Sequence, residues 1–586
     1  MSEKMINLTI NGMEVSVPAG STILEAARKL NVEIPTLCFM KERNEIGACR
    51  ICVVEANEGR GFRTVASCVY PVSEGMEVKT NSLKIQKARK TTLELILSTH
   101  DRKCLSCVRS KNCELQTLCR EYGIEDEGCF DGEKPHYELD TSAPHMVRDN
   151  NKCILCRRCV AACNEQHVGV IGANDRGIDT HIGCAFDLKL NDVACISCGQ
   201  CIVNCPTGAL YEKDDTDKIY DALNDPTKTV IVQTAPAVRA ALGESFGMPI
   251  GTDSEGKMVA ALRRLGFDKV FDTDFGADVT IMEEGTEFIN RVKNGGKLPL
   301  ITSCSPGWVK FCELYHPNMI ENLSSCKSPQ QMFGAIIKTW YAEKNGLDPK
   351  DIVSVSVMPC TAKKFEIGRD DESAAGVADV DISITTRELA RMIERARLDF
   401  VNLPDEEFDN PLGEDTGAGV IFGASGGVME AALRTVAEVL ENKTIDKVDY
   451  EVVRGTAPIK TATLNIAGMD VKIAVVSGMK AAHELLTKVE NGEEEYHFIE
   501  IMGCPGGCVN GGGQPIVPNY VREKNDIKAL RASALYRNDK ANKLRKSHDN
   551  PMVKTLYSEF FGEPGSHKAH EVLHTSYVDR SKSVVK

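Results

Sequence analysis

The sequence predicts a multidomain protein of mixed α+β and α/β class, with small cysteine-rich domains followed by one large α/β domain. At 586 residues the chain is long enough for several domains. Most of its 24 cysteines lie before residue 206, in closely spaced groups. After about Asp214, cysteines become sparse and short apolar runs alternate with helical patterns, which is typical of an α/β domain. The predicted domains are residues 1–79, 80–140, 141–212 and 213–586.

Composition and charge limit the possible partners. The net charge of −14 argues against nucleic acid and anionic membranes, because both would repel the chain. The start, MSEKMINLTING, lacks an apolar signal region, and no run of roughly 18 apolar residues follows. We therefore expect a cytoplasmic protein without a membrane span. In that compartment, numerous cysteines favour metal ligands over disulfides.

The first domain, residues 1–79, combines a β-hairpin with a cysteine cluster. Residues 5–17 alternate around an Asn-Gly turn, and Thr22 and Glu25 form a capping box at the start of a helix. The cysteines follow the pattern C-x10-C-x2-C-x15-C and are Cys38, Cys49, Cys52 and Cys68. This order resembles the [2Fe–2S] site of β-grasp ferredoxins and of the large iron–sulfur subunit of respiratory complex I. The alternative interpretation is a zinc site with the same four cysteine ligands.

The second domain, residues 80–140, begins with a predicted short helix at Thr91–Thr99. A histidine then precedes three cysteines in the pattern H-x3-C-x2-C-x5-C, formed by His100, Cys104, Cys107 and Cys113. The pattern resembles the His/Cys3 [4Fe–4S] site of hydrogenases and complex I. Cys119 and Cys129 do not fit it; we interpret both as free thiols, with Cys119 as an alternative fourth ligand.

The third domain, residues 141–212, repeats C-x2-C-x2-C-x3-C twice. This spacing is typical of two-cluster ferredoxins, in which the fourth cysteine of each motif binds the other cluster. One [4Fe–4S] cluster should therefore take Cys153, Cys156, Cys159 and Cys205. The other should take Cys195, Cys198, Cys201 and Cys163. Tetrahedral zinc fits this density of thiols poorly, and Cys184 between the motifs is interpreted as an unliganded thiol.

The fourth domain, residues 213–586, places cysteines directly after apolar runs. Cys304 follows LPLI, Cys360 follows IVSVSVM, and Cys504 and Cys508 follow a predicted strand at residues 496–502. Sites in open α/β sheets collect beyond the carboxyl ends of strands, so these loops indicate one metal centre with soft ligands. Other predicted strands are KTVIVQ and DKVFDTDF; the predicted helices are PAVRAALGESF, DVTIMEEGTEFINRVKNG and PGWVKFCELY.

Several other features of this domain are interpreted as structural. Cys312 and Cys326 should be packing residues. The run GEPGSHKAHEVLHTSY contains three histidines, and none of the predicted clusters requires them as ligands. Ser425 lies in a G-x-S-x-G pattern, but a hydrolase would need a histidine and an acid in position. No nucleotide or flavin fingerprint is found.

The loops ITSCSPGW, VMPCTAKKFE and EIMGCPGGCVNGGGQP closely resemble the signature loops of the iron-only, or [FeFe], hydrogenases. The resemblance implies an H-cluster, which is a [4Fe–4S] cubane bridged by a thiolate to a two-iron unit with CO, cyanide and azadithiolate. It assigns Cys360, Cys504 and Cys508 as ligands, with Cys508 bridging. The implied cofactors are this H-cluster, three [4Fe–4S] clusters and one [2Fe–2S] cluster.

The same resemblance assigns further residues of the pocket. Lys363 would donate a hydrogen bond to a cyanide, and Ala237 stands where many relatives have a serine that binds the other cyanide; a backbone N–H could replace that contact. The remaining lining residues would be Pro236, Gln330, Met358 and Met502.

A proton relay is also implied by the resemblance. Its members would be Cys304, Glu284, Ser324, Glu287 and Arg291. Glu284 and Glu287 are three residues apart and share one helix face, which fits a relay. The alternative is a solvated acidic face, and that interpretation suits the neighbouring Glu283 better.

The first loop departs from the family pattern TSCCPxW. Alignment puts Cys304 at the relay cysteine and Ser305 at a cubane ligand. An alkoxide would then replace a thiolate, which iron–sulfur iron disfavours. In the alternative, Cys304 binds the cubane and Ser305 or water carries protons. The retained relay residues favour the aligned roles.

The expected function is reversible interconversion of H2 with two protons and two electrons, which pass through the accessory clusters. The N-terminal region most resembles the catalytic subunit of multisubunit, NAD(P)-linked, electron-bifurcating hydrogenases. The expected partners are ferredoxin and flavin- and NAD(P)-binding iron–sulfur subunits. The alternatives are a stand-alone ferredoxin-dependent hydrogenase, a hydrogen sensor and a noncatalytic iron–sulfur protein.

Overall fold

The computed structural model describes residues 4–125, 130, 133–446 and 448–585, and it begins with a β-grasp domain. Its elements are β1 (Met5–Ile10), β2 (Met13–Pro18), α1 (Ile23–Lys29), β3 (Val53–Asn57), β4 (Arg63–Ala66) and β5 (Glu77–Lys79). The sheet has the order β2-β1-β5-β3-β4, with β1 and β5 parallel. The predicted hairpin and the capping box between Thr22 and Glu25 are both confirmed.

Two helices form the second domain, α2 (Leu83–Thr99) and α3 (Glu114–Glu121). The helix predicted at Thr91–Thr99 is the second half of α2, because Ser82 caps an earlier start by accepting the Ile85 N–H. His100 is the C-cap residue of α2, so the end of the helix fixes its position.

The third domain has short elements around its cysteine loops. They are β6 (Met146–Arg148), α4 (Arg158–Glu165), β7 (Gly172–Asn174), β8 (His181–Gly183), α5 (Gln200–Asn204) and β9 (Leu210–Glu212). β6 pairs antiparallel with β9 and β7 with β8. This two-fold arrangement is that expected of a two-cluster ferredoxin.

The first half of the fourth domain contains a four-stranded parallel sheet in the order β11-β10-β13-β14. The elements up to its last helix are α6 (Thr216–Asn224), β10 (Thr229–Thr234), α7 (Pro236–Arg239), α8 (Glu255–Leu265), β11 (Lys269–Asp272), α9 (Thr273–Asn294), β12 (Leu300–Ile301), α10 (Pro306–Tyr315), α11 (Pro329–Ile336), α12 (Ala342–Asn345), β13 (Ile352–Met358), α13 (Lys363–Glu366), β14 (Ile382–Thr385) and α14 (Thr386–Arg395).

The second half completes another four-stranded sheet in the order β12-β17-β16-β15, in which only the β15–β16 pair is antiparallel. Its further elements are α15 (Gly417–Val420), α16 (Gly427–Glu441), β15 (Ile459–Ile466), β16 (Met469–Ser477), α17 (Met479–Glu490), β17 (Phe498–Met502), α18 (Asn519–Arg522), α19 (Ile527–Ala541), α20 (Pro551–Leu556) and α21 (His567–Leu573). None of the described helices is both long and apolar enough to cross a bilayer.

Some predicted boundaries in this domain were wrong. DKVFDTDF is not one strand, because Asp272 accepts the Asp274 N–H and thereby starts α9 directly after β11. The predicted helix PAVRAALGESF is α7 followed by a separate 3-10 turn at Leu242–Phe246. The strand predicted at residues 496–502 begins at Phe498.

Helix α9 lies in the centre of the fourth domain. It packs against α11 on one side and α16 on the other, and a Cβ on its Gly276 would lie 2.6 Å from the Pro329 carbonyl oxygen. The solvated interpretation offered for Glu283 was wrong. Glu283 is 1% exposed and accepts hydrogen bonds from Tyr557 Oη (2.5 Å) and Gly565 N–H (2.9 Å). Glu283 therefore anchors the C-terminal segment to α9.

We predict that Lys327→Met will lower the free energy of unfolding of the apoprotein by about 3–5 kcal/mol. The Lys327 side chain is 1% exposed and its Nζ lies 2.7 Å from Asp379, whose side chain is 0% exposed; Glu372 lies 3.7 Å away. Because the substitution removes the ammonium group, the buried carboxylates of Asp379 and Glu372 lose their paired positive charge. Denaturation can be followed by the fluorescence of Trp308 and Trp340.

The matched control is Lys297→Met. Lys297 pairs with Glu321 at 2.9 Å, but the two side chains are 51% and 77% exposed. This exposed pair should contribute less than about 1 kcal/mol. Equal effects of the two substitutions would show that the buried pair does not stabilise the domain.

Candidate metal centre

A cavity of about 740 Å³ lies where the carboxyl ends of β10, β12, β13 and β17 meet. Parallel strands of both sheets end here, and the chain leaves each strand through a loop that faces the cavity. All predicted pocket and cysteine-loop residues line it: Pro236, Ala237, Cys304, Ser305, Gln330, Met358, Cys360, Lys363, Met502, Cys504 and Cys508. The structure thus brings together residues that are up to 272 positions apart in the chain, from Pro236 to Cys508.

The cysteines in the cavity are free thiols in close proximity. Burial, followed by the nearby Cys360 and Cys508, raises the pKa of the Cys504 thiol. Burial and Cys360 raise the pKa of Cys508 to about 12. Without a cation these thiols stay protonated, and a bound metal would displace the protons because thiolates are the metal ligands. Buried thiols that approach one another without a disulfide fit an iron–sulfur centre.

Glycines in the Cys504 loop allow backbone segments to touch. A Cβ on Gly507 would lie 2.5 Å from Ser425 N, and a Cβ on Gly511 would lie 2.1 Å from Pro359 O. A Cβ on Gly512 would lie 2.3 Å from Cys198 O. These glycines therefore permit contacts between protein loops, besides any close approach to a ligand.

Polar residues at the cavity are held by a carboxylate that the sequence analysis did not single out, Glu366. Its Oε2 accepts hydrogen bonds from Lys363 Nζ (2.8 Å), Gln330 Nε2 (3.0 Å) and Ser328 Oγ (2.9 Å). Lys363 Nζ also donates to Ser328 Oγ at 2.7 Å and to the Cys304 carbonyl at 3.3 Å. Glu366 lies three residues after Lys363 on α13, and this spacing could have predicted their contact.

Adjacent residues of the first loop face different neighbours. Ser305 Oγ accepts the Gly503 N–H at 3.0 Å, which places its oxygen beside the Cys504 loop. Burial, then Glu284 and Cys508, raise the pKa of Cys304. Cys304 is therefore the residue of this loop that lies near the predicted relay.

The predicted relay residues form a line outward from Cys304. Glu284 is 1% exposed, and its carboxyl group lies beside Ser324 and Glu287. Burial and the nearby Glu287 raise the pKa of Glu284 to about 8. Ser324 Oγ donates to Glu287 at 2.9 Å, and Arg291 donates to Glu287 at 2.6 Å. A mostly neutral acid beside a hydroxyl and an ion pair can accept or release a proton near neutral pH.

The N-terminal cysteines also meet as predicted. Cys52 Sγ lies 3.3 Å from Cys68 Sγ, and Cys38 is hydrogen-bonded to Cys49 and Cys68. These are all of the thiols of the C-x10-C-x2-C-x15-C pattern.

The two ferredoxin motifs exchange their last cysteines. A cavity of about 360 Å³ is lined by Cys153, Cys156, Cys159 and Cys205. Burial raises the pKa of Cys201 most, and the nearby Cys195 and Cys163 raise it further. Cys198 also lies near Cys195 and Cys201, so the thiols of the second predicted cluster lie together. Cys184 is 0% exposed and receives a contact from Arg148 Nη1 at 3.6 Å.

The second domain has two candidate fourth donors for its three predicted cysteine ligands. His100 is 7% exposed, its Nδ1 has no hydrogen-bond partner among the described residues, and burial lowers its pKa to about 4. A neutral ring is the form that binds metals. Cys119 lies near Cys113 and Cys104. Cys129 lies outside the described residues.

Comparison with known proteins gives a consistent set of similarities. Matches are found to the C-terminal domain of the iron only hydrogenase large subunit (228–512), the iron hydrogenase small subunit (525–580), a 2Fe-2S iron-sulfur cluster binding domain (3–82), the NADH-ubiquinone oxidoreductase-G iron-sulfur binding region (89–127) and a 4Fe-4S dicluster domain (152–209).

Whole-chain relatives agree with these matches. The chain is 50% identical to the NADP-reducing hydrogenase subunit HndD of Solidesulfovibrio fructosivorans, over 99% of this chain and 100% of that one. It is 44% identical to iron hydrogenase 1 of Clostridium pasteurianum, over 98% and 100%. The solved [FeFe]-hydrogenase HydA1 of Chlamydomonas reinhardtii is 40% identical, with a TM-score of 0.56, over 64% of this chain and 100% of that one.

We predict that Glu284→Gln will stabilise the apoprotein increasingly as pH rises from 5 to 8. The pKa of Glu284 is about 8 in the folded chain, against about 4.3 in an unfolded one. Between these values the unfolded chain releases a proton that the folded chain keeps, so the wild type loses stability as pH rises. Between pH 5 and 8 the difference between variant and wild type should grow by about 3–4 kcal/mol in chemical denaturation.

Glu321→Gln is the control, because the Glu321 side chain is 77% exposed. It should show little difference from the wild type across this pH range. A flat profile for Glu284→Gln as well would show that Glu284 does not titrate as a buried acid.

Proposed function

Because the chain belongs to the iron-only hydrogenase family, we propose that its central cavity holds an H-cluster bound by Cys360, Cys504 and Cys508, with Cys508 as the bridging thiolate. The chain is an iron-only hydrogenase and interconverts H2 with protons and electrons. The convergence of these cysteine loops, Lys363 and the inner end of a proton relay at one cavity carries the proposal.

When bound, the H-cluster would supply electrophilic iron and an amine base, which together split the nonpolar H2 molecule. The chain's own residues position the group, exclude water and move protons. Lys363 would donate from Nζ to a cyanide, in the orientation that Glu366 and Ser328 give it. Ala237 is the second residue of α7, so its N–H has no acceptor within the helix and is available to the other cyanide.

Protons would pass between Cys304, Glu284, Ser324 and Glu287. Glu284 is the residue suited to exchange a proton in either direction, because its pKa of about 8 lies near neutrality. Arg291 keeps its charge and would hold Glu287 in position by the 2.6 Å contact.

The cubane would have an unusual fourth ligand. We assign Cys304 to the relay, because its thiol lies near Glu284, and Ser305 to the cubane side, because its oxygen lies beside the Cys504 loop.

Electrons would travel through one [2Fe–2S] and three [4Fe–4S] clusters. Cys198 lies near Cys504, and Thr361 Oγ1 donates to the Ser197 carbonyl at 2.8 Å. These contacts support a position for the second ferredoxin cluster next to the cubane. We assign the remaining [4Fe–4S] cluster to His100, Cys104, Cys107 and Cys113.

We also propose that the chain works in the cytoplasm with flavin- and NAD(P)-binding iron–sulfur subunits and with ferredoxin. The 50% identity to a subunit of an NADP-reducing hydrogenase over almost the whole chain supports this. Because the sequence carries no nucleotide fingerprint, the proposal puts the NAD(P) site on another subunit.

We predict that Cys304→Ser will keep the infrared bands of the H-cluster and the electron paramagnetic resonance signal of its cubane. Its hydrogen turnover should fall about 100-fold or more, since a serine hydroxyl is a poor proton donor and acceptor. Ser305→Ala is the paired variant, and it should disturb the cubane signal. The opposite result, with cubane loss in Cys304→Ser and a normal cubane in Ser305→Ala, would make Cys304 the ligand.

We predict that the matured chain alone will evolve H2 from a strong artificial reductant but not from NAD(P)H. Co-purified subunits should enable NAD(P)H-linked turnover, tested with NAD(P)H, with reduced ferredoxin and with both together. Rapid NAD(P)H-driven evolution by the isolated chain would contradict the partner proposal and leave the hydrogenase assignment intact.

A further inference from the structure

The C-terminal segment places a histidine against the outer end of the proposed relay. After α21, Thr575 N–H donates to the Ser325 carbonyl at 2.8 Å, and Tyr577 Oη donates to the Ser324 carbonyl at 2.6 Å. His574, between them and the helix, forms an isolated β-bridge with Cys326. The segment therefore runs beside residues 324–326, and the His574 side chain is only 7% exposed.

The contacts of the His574 ring determine which nitrogen carries its proton. Nε2 lies 3.1 Å from Glu283 Oε2, and Nδ1 lies 2.8 Å from Ser325 Oγ. A carboxylate only accepts hydrogen bonds, so the neutral ring carries its hydrogen on Nε2. Nδ1 is then a base that faces the Ser325 hydroxyl. Glu283 is itself fixed by Tyr557 and Gly565.

Ser325 also faces Glu287. Its N–H donates to Glu287 Oε2 at 3.1 Å, and its Oγ lies 3.4 Å from the same oxygen. Ser324 Oγ donates to that oxygen at 2.9 Å. The Oγ distance of 3.4 Å is long for a hydrogen bond between oxygens, and a small movement of the side chain shortens it. Glu287 Oε2 is thus approached by two hydroxyl groups, those of Ser324 and Ser325.

We propose that the proton relay divides at Glu287, and that His574, reached through Ser325, is a second proton-exchange group beside the Arg291 branch. In H2 oxidation, protonated Glu287 gives its proton to Ser325 Oγ while the Ser325 hydroxyl proton passes to His574 Nδ1. This leaves a Glu287 carboxylate and an imidazolium with hydrogens on both nitrogens. H2 evolution runs the same steps in reverse, and no electrons move.

Histidine suits this place because its charge changes between about pH 5 and 8, whereas arginine stays charged. The charged or titratable groups around the ring are Glu283, Glu287, Cys326, Tyr557 and His570. The ring centroid of the exposed His570 lies 4.0 Å from that of His574, which joins the buried imidazole to the surface.

The test compares matured His574→Gln and Ser325→Ala holoproteins with the wild type. Each should slow turnover about three- to tenfold, less than the loss of a unique proton-transfer group, because the Arg291 branch remains. The pH profile of turnover should change in both variants, and added imidazole should partly restore His574→Gln. His567→Gln, in the preceding helix α21 with a side chain 91% exposed, is the control and should match the wild type.

The infrared bands of the H-cluster should be unchanged in each variant. Wild-type turnover and pH profile in both variants would overturn the branch. Slow turnover of His574→Gln alone, without rescue by imidazole, would also overturn the branch, because that pattern indicates a structural role for His574.

The inference depends on the relay of the proposed function, and Glu284→Gln separates the two. Slow Glu284→Gln with normal His574→Gln and Ser325→Ala would remove only the branch. Rapid turnover of Glu284→Gln would show that the relay itself is wrong.

Discussion

The catalytic centre depends on backbone contacts that leave no room for side chains. The Cys504 loop touches the loop after β13, the Ser425 turn and the ferredoxin-like domain, at Gly511, Gly507 and Gly512 respectively. Each contact would be blocked by a single Cβ. Because these segments come from different sheets and domains, the glycines fix the spacing of the cysteines that flank them. The geometry of the metal centre is thus set by the absence of side chains as much as by the thiols.

Helix α9 gives three neighbouring acids three different environments. Glu283 is tied to Tyr557, Gly565 and His574 and holds the C-terminal segment. Glu284 is buried, and burial together with the nearby Glu287 raises its pKa to about 8. Glu287 is hydrogen-bonded to hydroxyls and to an arginine nearer the surface. In the proposed relay, one helix would therefore supply an anchor, a proton carrier and an outer exchange point.

Cysteine spacing predicted the domain order, the crossed pairing of the ferredoxin motifs and the convergence of the three catalytic loops. These features depend on local spacing and on strands whose carboxyl ends meet. The sequence could not show that Glu283 is buried or that His574 lies beside Ser325, because both depend on contacts across 291 and 249 residues. The start of α2 was missed because its polar first turns lack an apolar pattern.

The segment after α21 makes contacts with residues that lie much earlier in the chain. Ala194 N–H donates to the Val585 carbonyl at 2.9 Å, and His574 reaches residues synthesised about 250 positions earlier. A growing chain cannot make these contacts until this segment has left the ribosome, although its N-terminal cysteine domains can already fold as units. The N-terminal domains can therefore fold in the order of synthesis, whereas the contacts around His574 form late, once residues 574–577 are free of the ribosome.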